Sequence, residues 1–297
     1  MFEKPTEEVQ KSERERFDEQ YDHPEKITLE DGEFFIHDVI PENLKFPIPT
    51  LFAPGITEDP INGKETVFAL FKEGRRVLLI DAPHGIPAEP VDGISAVELR
   101  KAMAILKTAE IKGITGLNVV AHSEGAINSS FAAKLDSEKF QNMIFVDPAG
   151  MIGKDNIFRL IKGNFRELIR GAKANKENPP EFNFKANPER ARLYFRQTLL
   201  QTLKEVYAIS QSDIRDLIRD LKASGIGISV IHSVDDKMFP MEKMQDGLTA
   251  EDVDGFYSIK GKGGGHQEII NSPTAMGKLI NKALEALENR HAGEEVE

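Results

Sequence analysis

One short stretch of the sequence constrains the fold more than any other. An apolar run at residues 117–121 leads into Ala121-His122-Ser123-Glu124-Gly125 and then into a helical pattern that extends to residue 135. A strand that turns into a helix within so few residues has no room for large side chains two positions before and after the turn. Both positions hold small residues, so the sequence predicts a tight strand-to-helix turn with Ser123 at its apex.

Short apolar runs recur along the chain, at residues 34–40, 47–52, 76–80, 117–121, 143–146, 226–231 and 256–259. Several are rich in Val and Ile and end in Gly, Pro or Asp, as buried parallel strands do. Helical patterns lie between them and are clearest at 97–111 and 124–135. The alternation predicts an α/β fold in which helices flank a mainly parallel central sheet.

The alternation stops between residues 151 and 224. This stretch has no convincing strand pattern, and its amphipathic segments at 157–171 and 193–209 are separated by a Pro-containing linker. We interpret it as a helical cap inserted before the next strand, with residues 33–150 and 225–297 forming the core. Residues 1–32 are dense in Asp and Glu and are expected to form an acidic N-terminal arm, either as a solvated helix or partly disordered.

The strand, turn and helix around Ser123 resemble the nucleophile elbow of the α/β-hydrolase fold family. The family pattern has Gly two residues before the nucleophile; this chain has Ala121, as some bacterial lipases of the family do. The resemblance covers about residues 33–290, and the stretch at 151–224 stands where capped members cover their active sites. It implies a capped serine hydrolase, esterase- or lipase-like, with Ser123 as the nucleophile.

The family places the acid and the base later in the chain, in the order Ser, Asp, His. Asp236 follows the apolar run at 226–231 and lies four residues before a Pro, which is the family's spacing for the acid. Asp147, at the end of the preceding strand pattern, is the alternative, because some members hold their acid there. His266 follows the last strand pattern and three glycines, which let the backbone bring an imidazole over the nucleophile. It is the expected base.

Two backbone N–H groups are expected to bind the oxyanion that forms during the reaction. In the family, one belongs to the residue after the nucleophile, here Glu124. The segment 53–56 resembles the family's His-Gly-x segment, with a Pro in place of the His. This implies that Ile56 donates the second N–H and that Gly55 allows the close backbone approach. Gly125 supports the turn in the same way.

Two further histidines lie near these motifs. His122 is inside the Ser123 turn and is expected to point away from the nucleophile and pack in the interior. His84, in the loop after the run at 76–80, lines either the entrance of the site or the surface.

Composition excludes several classes of function. The formal net charge is −11, which argues against nucleic acid as a partner, since phosphates are held by clustered Lys and Arg. No run of about 18 apolar residues occurs, so we expect no stable membrane insertion. We predict no metal and no cofactor, because the chain lacks metal-ligand spacings, a phosphate-binding loop and a dinucleotide fingerprint. The absence of Cys and of a leader-like N-terminus predicts a cytoplasmic location.

The function implied by the resemblance is hydrolysis of a small or medium carboxylic ester through a Ser-His-Asp triad and an acyl-enzyme. Amide, thioester or carbon–carbon cleavage stays open, because family members with the same triad perform all three, and so does ligand binding with little turnover. Residues 151–224 carry a charge balance of +6 against −11 for the chain. Among their aromatic residues, Phe158, Phe165, Phe182, Phe184, Tyr194 and Phe195 are expected to pack the cap on the core or line an acyl pocket.

Overall fold

The computed structural model describes residues 11–294 apart from 30–31, 57, 59, 83, 178–187 and 262–264, with side chains described except at 168–169, 171–199 and 292–294. The described residues form an eight-stranded sheet in the order β1-β2-β4-β3-β5-β6-β7-β8, in which only the β1–β2 and β2–β4 pairs are antiparallel. The strands are β1 (Glu25–Leu29), β2 (Gly32–Val39), β3 (Phe46–Ala53), β4 (Arg75–Asp81), β5 (Leu117–His122), β6 (Phe140–Val146), β7 (Gly227–Ser233) and β8 (Gly255–Ile259). The predicted mainly parallel sheet is confirmed.

Helices cover both faces of the sheet. They are α1 (Glu13–Tyr21), α2 (Pro60–Lys72), α3 (Ala96–Ile111), α4 (Gly125–Leu135), α5 (Ile157–Glu177), α6 (Pro188–Gln211), α7 (Arg215–Ala223), α8 (Met241–Gly247), α9 (Glu268–Asn271) and α10 (Pro273–Glu294). One core lies between the sheet and α3, α4 and α7; the other lies between the sheet and α1, α2 and α10. None of the described helices is long and apolar enough to cross a bilayer.

The central strand β5 is buried at each of its six positions. Val119 faces one core and Val120 the other, because successive side chains of a strand point to opposite faces. This two-sided burial explains why the sequence shows a continuous apolar run rather than an alternation. It also carries Ser123 to the carboxyl edge of the sheet, beside the ends of β3, β6 and β7.

Helices α5, α6 and α7 lie between β6 and β7, and no strand is found among the described residues of this stretch. Ile218 and Leu221 of α7 are buried and α7 packs on α4, so this helix belongs to the core layer although the sequence placed it in the cap. We therefore use "the insertion" for α5 and α6 alone.

The aromatic residues of the insertion whose side chains the structure describes do not pack on the core as expected. Phe158 and Phe165 of α5 are exposed to solvent, so neither packs on the core. Phe158 borders a surface pocket together with Tyr207. Phe182 and Phe184 lie outside the described residues, and the side chains of Tyr194 and Phe195 in α6 are likewise not described.

The segment expected to be an acidic arm contains α1 and β1. Phe17 and Tyr21 of α1 are buried against α2, and β1 pairs with β2 at the edge of the sheet. Their many charges pair on the outer side, as in the bidentate contact of Arg14 with Glu65. Residues 12–29 are thus part of the core fold, because two aromatic side chains on one helical face outweigh a high average charge.

This packing predicts a measurable contribution of α1 to stability. Phe17→Ala removes a fully buried ring and should lower the free energy of unfolding by about 3–5 kcal/mol, measured by urea denaturation. Glu13→Ala, at an exposed position of the same helix, should change it by about 1 kcal/mol or less. Equal and small effects of the two substitutions would mean that α1 is a solvated arm after all.

Candidate active site

Ser123 occupies the turn between β5 and α4 in a left-handed backbone conformation, with φ of +53°. This region is unfavourable for residues other than Gly, and such strain persists only where the surroundings hold it. The Ser123 N–H donates to the carbonyl of Val146 at 3.1 Å, and its own carbonyl accepts the N–H groups of Ala126 and Ala149 at 3.1 and 3.0 Å. These bonds hold the hydroxyl at the carboxyl edge of the sheet.

Two glycines allow the backbone to crowd this turn. A Cβ on Gly55 would lie 2.9 Å from the Cβ of Ser123, and one on Gly125 would lie 2.3 Å from the carbonyl oxygen of Ala53. Any larger residue at either position would push the loop after β3 away from the turn. The structure therefore gives a steric reason for the small residues that the sequence places at 55 and 125.

His266 is brought to Ser123 by a single 3₁₀ turn at Gly265–Gln267. Its Nε2 lies 3.0 Å from the Ser123 Oγ and its Nδ1 lies 2.8 Å from Oδ2 of Asp236. All three side chains are buried. Ser123, His266 and Asp236, which are far apart in the chain, thus form one hydrogen-bonded series.

The Asp236 carboxylate is held by the loop that carries it. Its Oδ1 accepts the backbone N–H groups of Met238 and Phe239 at 2.6 and 3.0 Å, which leaves Oδ2 for His266. Burial favours the neutral acid, but the charge and hydrogen bond of His266 outweigh it and lower the pKa of Asp236. Its neighbour Asp235 is half-buried and pairs with Arg170 at 3.2 Å.

The protonation of His266 is set by these neighbours. Burial lowers the pKa of His266, but the negative charge of Asp236 and the hydrogen bond to it outweigh burial and raise that pKa to about 9. Neutral imidazole, the form that can accept a proton, therefore becomes the main form only in alkaline solution.

Asp147, the alternative acid, is buried close to this series but makes other hydrogen bonds. It has a left-handed backbone, with φ of +43°, and its carboxyl accepts the Ser233 N–H at 2.6 Å and contacts the Ser233 hydroxyl at 3.0 Å. Burial and the nearby charge of Asp236 raise its pKa well above the usual range. The structure thus places Asp236, and not Asp147, on Nδ1 of His266.

The two expected oxyanion donors belong to the residue after Ser123 and to the residue after Gly55, which approaches Ser123 closely. These residues are Glu124 and Ile56. Neither backbone N–H donates to another described residue, whereas the Gly55 N–H donates to the carboxylate of Glu58 at 2.6 Å.

Sequence reasoning missed the contact between Glu58 and His122. One oxygen of Glu58 meets Nδ1 of His122, and Nε2 of His122 donates to the carbonyl oxygen of His266 at 2.9 Å. Burial raises the pKa of Glu58, but the charge of His122 and its hydrogen bond bring it below the usual value. His122 therefore joins the loop after β3 to the turn that carries His266. The sequence signal that could have indicated this contact was the acidic residue Glu58 shortly after the β3 run.

Sequence reasoning also missed Glu167 of α5. Its carboxylate accepts the Lys237 N–H at 2.8 Å and the His266 N–H at 3.3 Å, so it joins the acid-bearing loop to the base-bearing turn. Arg159 and Arg170 on the same helical face donate to the carbonyls of Met238 and Asp235 at 2.7 Å each. Nothing in the local sequence pattern distinguishes Glu167 from a solvated residue of an amphipathic helix.

A buried charge network lies on the other side of the Ser123 turn. Lys101 of α3 contacts the Glu124 carboxylate at 2.5 Å and the Glu205 carboxylate of α6 at 3.9 Å. His84, predicted to line the entrance or the surface, meets Glu205 at 2.9 Å and so contacts the insertion. Burial lowers the pKa of Lys101, but its two carboxylate neighbours raise it overall, so Lys101 stays charged.

Two sets of buried donors come close enough to suggest a metal site: His122, Asp147 and His266, and Asp147, His232 and Asp236. Most of their donor atoms are already engaged in the hydrogen bonds described above. The prediction of no metal and no cofactor stays a prediction.

Several solved structures resemble this chain over most of their length. A candidate lipase from Acinetobacter baumannii has a TM-score of 0.68 at 13% identity, covering 96% of this chain and 99% of that one. An esterase from Thermogutta terrifontis has a TM-score of 0.58 at 20% identity, covering 89% and 99%. A carboxylesterase from Bacillus subtilis has a TM-score of 0.58 at 12% identity, covering 91% and 96%. No protein-family model and no curated protein sequence matches the chain.

These similarities, with the sheet order and the turn at Ser123, define the class of protein. The chain has the α/β-hydrolase fold, as the resemblance of the Ser123 segment predicted.

The contacts of Glu167 predict that it positions the acid and the base. Glu167→Ala removes both acceptors and should lower kcat on a soluble p-nitrophenyl ester by about 10²-fold, since a misplacement of about 1 Å has that effect, while KM changes little. Glu167→Gln keeps one acceptor and should restore part of kcat. Asn164→Ala, an exposed neutral neighbour on α5, should behave as the parent; an equally active Glu167→Ala would contradict the positioning role.

Proposed function

We propose that this protein is a serine hydrolase that cleaves a small or medium carboxylic ester. The observation that carries the proposal is the series Ser123–His266–Asp236, with hydrogen-bonding distances of 3.0 and 2.8 Å and with the serine in a left-handed turn. A nucleophile, a base and an orienting acid in this order constitute the triad of acyl-transfer enzymes.

In the proposed first half-reaction, the Ser123 Oγ attacks the ester carbonyl carbon while its proton passes to Nε2 of His266. The tetrahedral intermediate collapses when the bond to the alcohol oxygen breaks and that oxygen takes the proton from His266. In the second half, water gives a proton to His266 and attacks the acyl carbonyl. The Oγ then leaves with that proton, and the carboxylic acid is released.

In each tetrahedral intermediate, the negatively charged oxygen would accept hydrogen bonds from the N–H groups of Ile56 and Glu124. A free Glu124 carboxylate beside this position would oppose that charge. The ion pair with Lys101 at 2.5 Å supports the assignment, because it neutralises the carboxylate next to the donor.

The proposed substrate is small because α5 would act as a cap on the site. Through Glu167, Arg159 and Arg170 the helix lies directly on the loops that bear Asp236 and His266. Gly163 faces the carbonyl of Lys237 so closely that a Cβ would approach it to 2.7 Å. A helix held this close to the triad would restrict the space around the reacting ester. The choice of an ester as the substrate is supported by the structural neighbours that are named as esterases and lipases.

A second enzymatic candidate, cleavage of an amide, thioester or carbon–carbon bond, uses the same triad, and a ligand-binding protein with little turnover would keep it too. The net charge of −11 supports a small molecule rather than a nucleic acid as the partner.

The nucleophile can be tested by covalent labelling. A fluorophosphonate should modify Ser123, because its hydroxyl is hydrogen-bonded to Nε2 of His266, and Ser123→Ala should abolish both labelling and turnover of short p-nitrophenyl esters. Ser258→Ala, an exposed serine of β8, should label and turn over as the parent. Labelling that persists in Ser123→Ala would contradict the proposal, and labelled protein without ester turnover would favour the binding role or another scissile bond.

The raised pKa of His266 predicts an alkaline pH profile. Since only neutral imidazole accepts the serine proton, the labelling rate and kcat/KM should rise with pH through a midpoint near 9. Asp236→Asn removes the charge that raises this pKa, so the midpoint should move to lower pH and kcat should fall by about 10⁴-fold.

The control for this profile is Asp235→Asn, a half-buried neighbour in the same loop that does not contact His266, which should leave the midpoint in place. A rate that is flat from neutral to alkaline pH while chemistry limits turnover would exclude His266 as the base. A shift produced by Asp147→Asn and not by Asp236→Asn would assign the acid to Asp147.

A further inference from the structure

Helix α5 turns several charged side chains, together with the buried Leu160, toward the protein and an apolar stripe toward solvent. The face toward the protein carries Arg159, Gly163, Glu167 and Arg170, which contact the loop at residues 235–238. Phe158, Ile161 and Phe165 recur at three- and four-residue intervals on the opposite face and point to solvent. A surface helix normally turns its apolar stripe toward the core. Here the stripe formed by Phe158, Ile161 and Phe165 faces solvent without an apolar surface to pack against.

Helix α6, which contacts α5, repeats the pattern. Its Thr202 and Glu205 are buried, whereas Leu200, Leu203 and Tyr207 are exposed at the same spacing. The six outward apolar side chains of the two helices are between 48 and 77% exposed. Apolar patches of this kind on a soluble domain mark an interaction surface. We call the six residues, with the cations among them, the outer face of the insertion.

The charges on the outer face have one sign. In the described parts of α5 and α6 the exposed charged side chains are Lys162, Arg166 and Lys204, and the acidic side chains, Glu167 and Glu205, are turned inward and buried. The rest of the chain outside residues 151–224 carries a balance of −17. A partner of this face must therefore be anionic and must accept apolar side chains.

A second copy of the chain fits these requirements poorly. In a two-fold symmetric pair the same patch meets itself, so Lys162, Arg166 and Lys204 would face like charges. An anionic lipid surface satisfies both requirements, because its headgroups attract Lys and Arg while Phe, Leu and Ile enter the boundary with the acyl chains.

We propose that the outer face of the insertion binds the surface of an anionic lipid bilayer. The contact is peripheral and reversible, since the helices lie along the interface and do not span it. The strongly negative remainder of the molecule is repelled by the same surface, which orients the protein with α5 and α6 toward the lipid. The proposal stands on the outer face alone and does not depend on the proposed ester hydrolysis.

Vesicle sedimentation tests this inference with the full chain. In about 0.1 M salt, where the Debye length is about 10 Å, the protein should bind vesicles of equal parts phosphatidylglycerol and phosphatidylcholine and should bind pure phosphatidylcholine far more weakly. Lys162→Gln with Arg166→Gln should weaken binding about 25-fold, at about fivefold for each cation. Phe158→Ser with Phe165→Ser should weaken it at least about tenfold.

Leu44→Ser is the matched control and should bind as the parent. Leu44 is an exposed apolar residue just before β3, at the amino ends of the parallel strands and so away from the insertion. Unchanged turnover of a soluble ester and an unchanged circular dichroism spectrum in all variants would show that the fold is intact. No binding to the mixed vesicles would overturn the proposal, as would binding that survives the Phe double substitution. A dimer in light scattering that this substitution dissociates, without vesicle binding, would assign the face to a second copy instead.

Discussion

The tight turn at Ser123 is the constraint on which the rest of the site depends. A buried strand has to become a helix within three residues, and the backbone at the apex adopts φ of +53°. The hydrogen bonds from Ser123 to the ends of β6 and the following loop stabilise that conformation. Because the turn is strained and crowded, the two positions that approach its backbone most closely, Gly55 and Gly125, have no room for a larger side chain.

The other two members of the hydrogen-bonded series are held by loops, and these loops are held together by side chains from outside them. Glu167 receives backbone N–H groups from both loops, and His122 connects the His266 turn to Glu58 in the loop after β3. The relative position of Asp236 and His266 thus depends on hydrogen bonds from backbone N–H groups to buried carboxylates. Such charge-assisted bonds are among the stronger hydrogen bonds in proteins. The insertion is therefore part of the framework of the site.

Buried charge is distributed so that each anion near the turn has a partner. Lys101 neutralises Glu124, His122 faces Glu58, and His266 faces Asp236. Asp147 is held by the N–H and hydroxyl groups of Ser233. Burial and the nearby charge of Asp236 raise its pKa, because a second negative charge beside Asp236 is unfavourable.

Much of the core could be predicted from the sequence, because strands buried on both faces appear as apolar runs and the Ser123 turn demands small residues at fixed positions. The small residue at Gly125 was found in this way, whereas Asp236, His266 and Gly55 came from the resemblance to the α/β-hydrolase family. Glu167, Glu58 and Lys101 were not found, because their roles arise from contacts with residues more than 20 positions away and a solvated charge looks the same in sequence.

The sequence alone determined the α/β architecture, since this depends on local periodicity. Its resemblance to the family supplied Ser123 and His266, with Asp236 and Asp147 as the two candidate acids. Only the tertiary structure decided that α1 and β1 join the core, where Phe17 is buried, and that Asp236 rather than Asp147 reaches Nδ1 of His266. It also decided that α5 and α6 turn their polar faces inward. These outcomes depend on which face of an element meets a neighbour, and that is set by long-range packing rather than by sequence pattern.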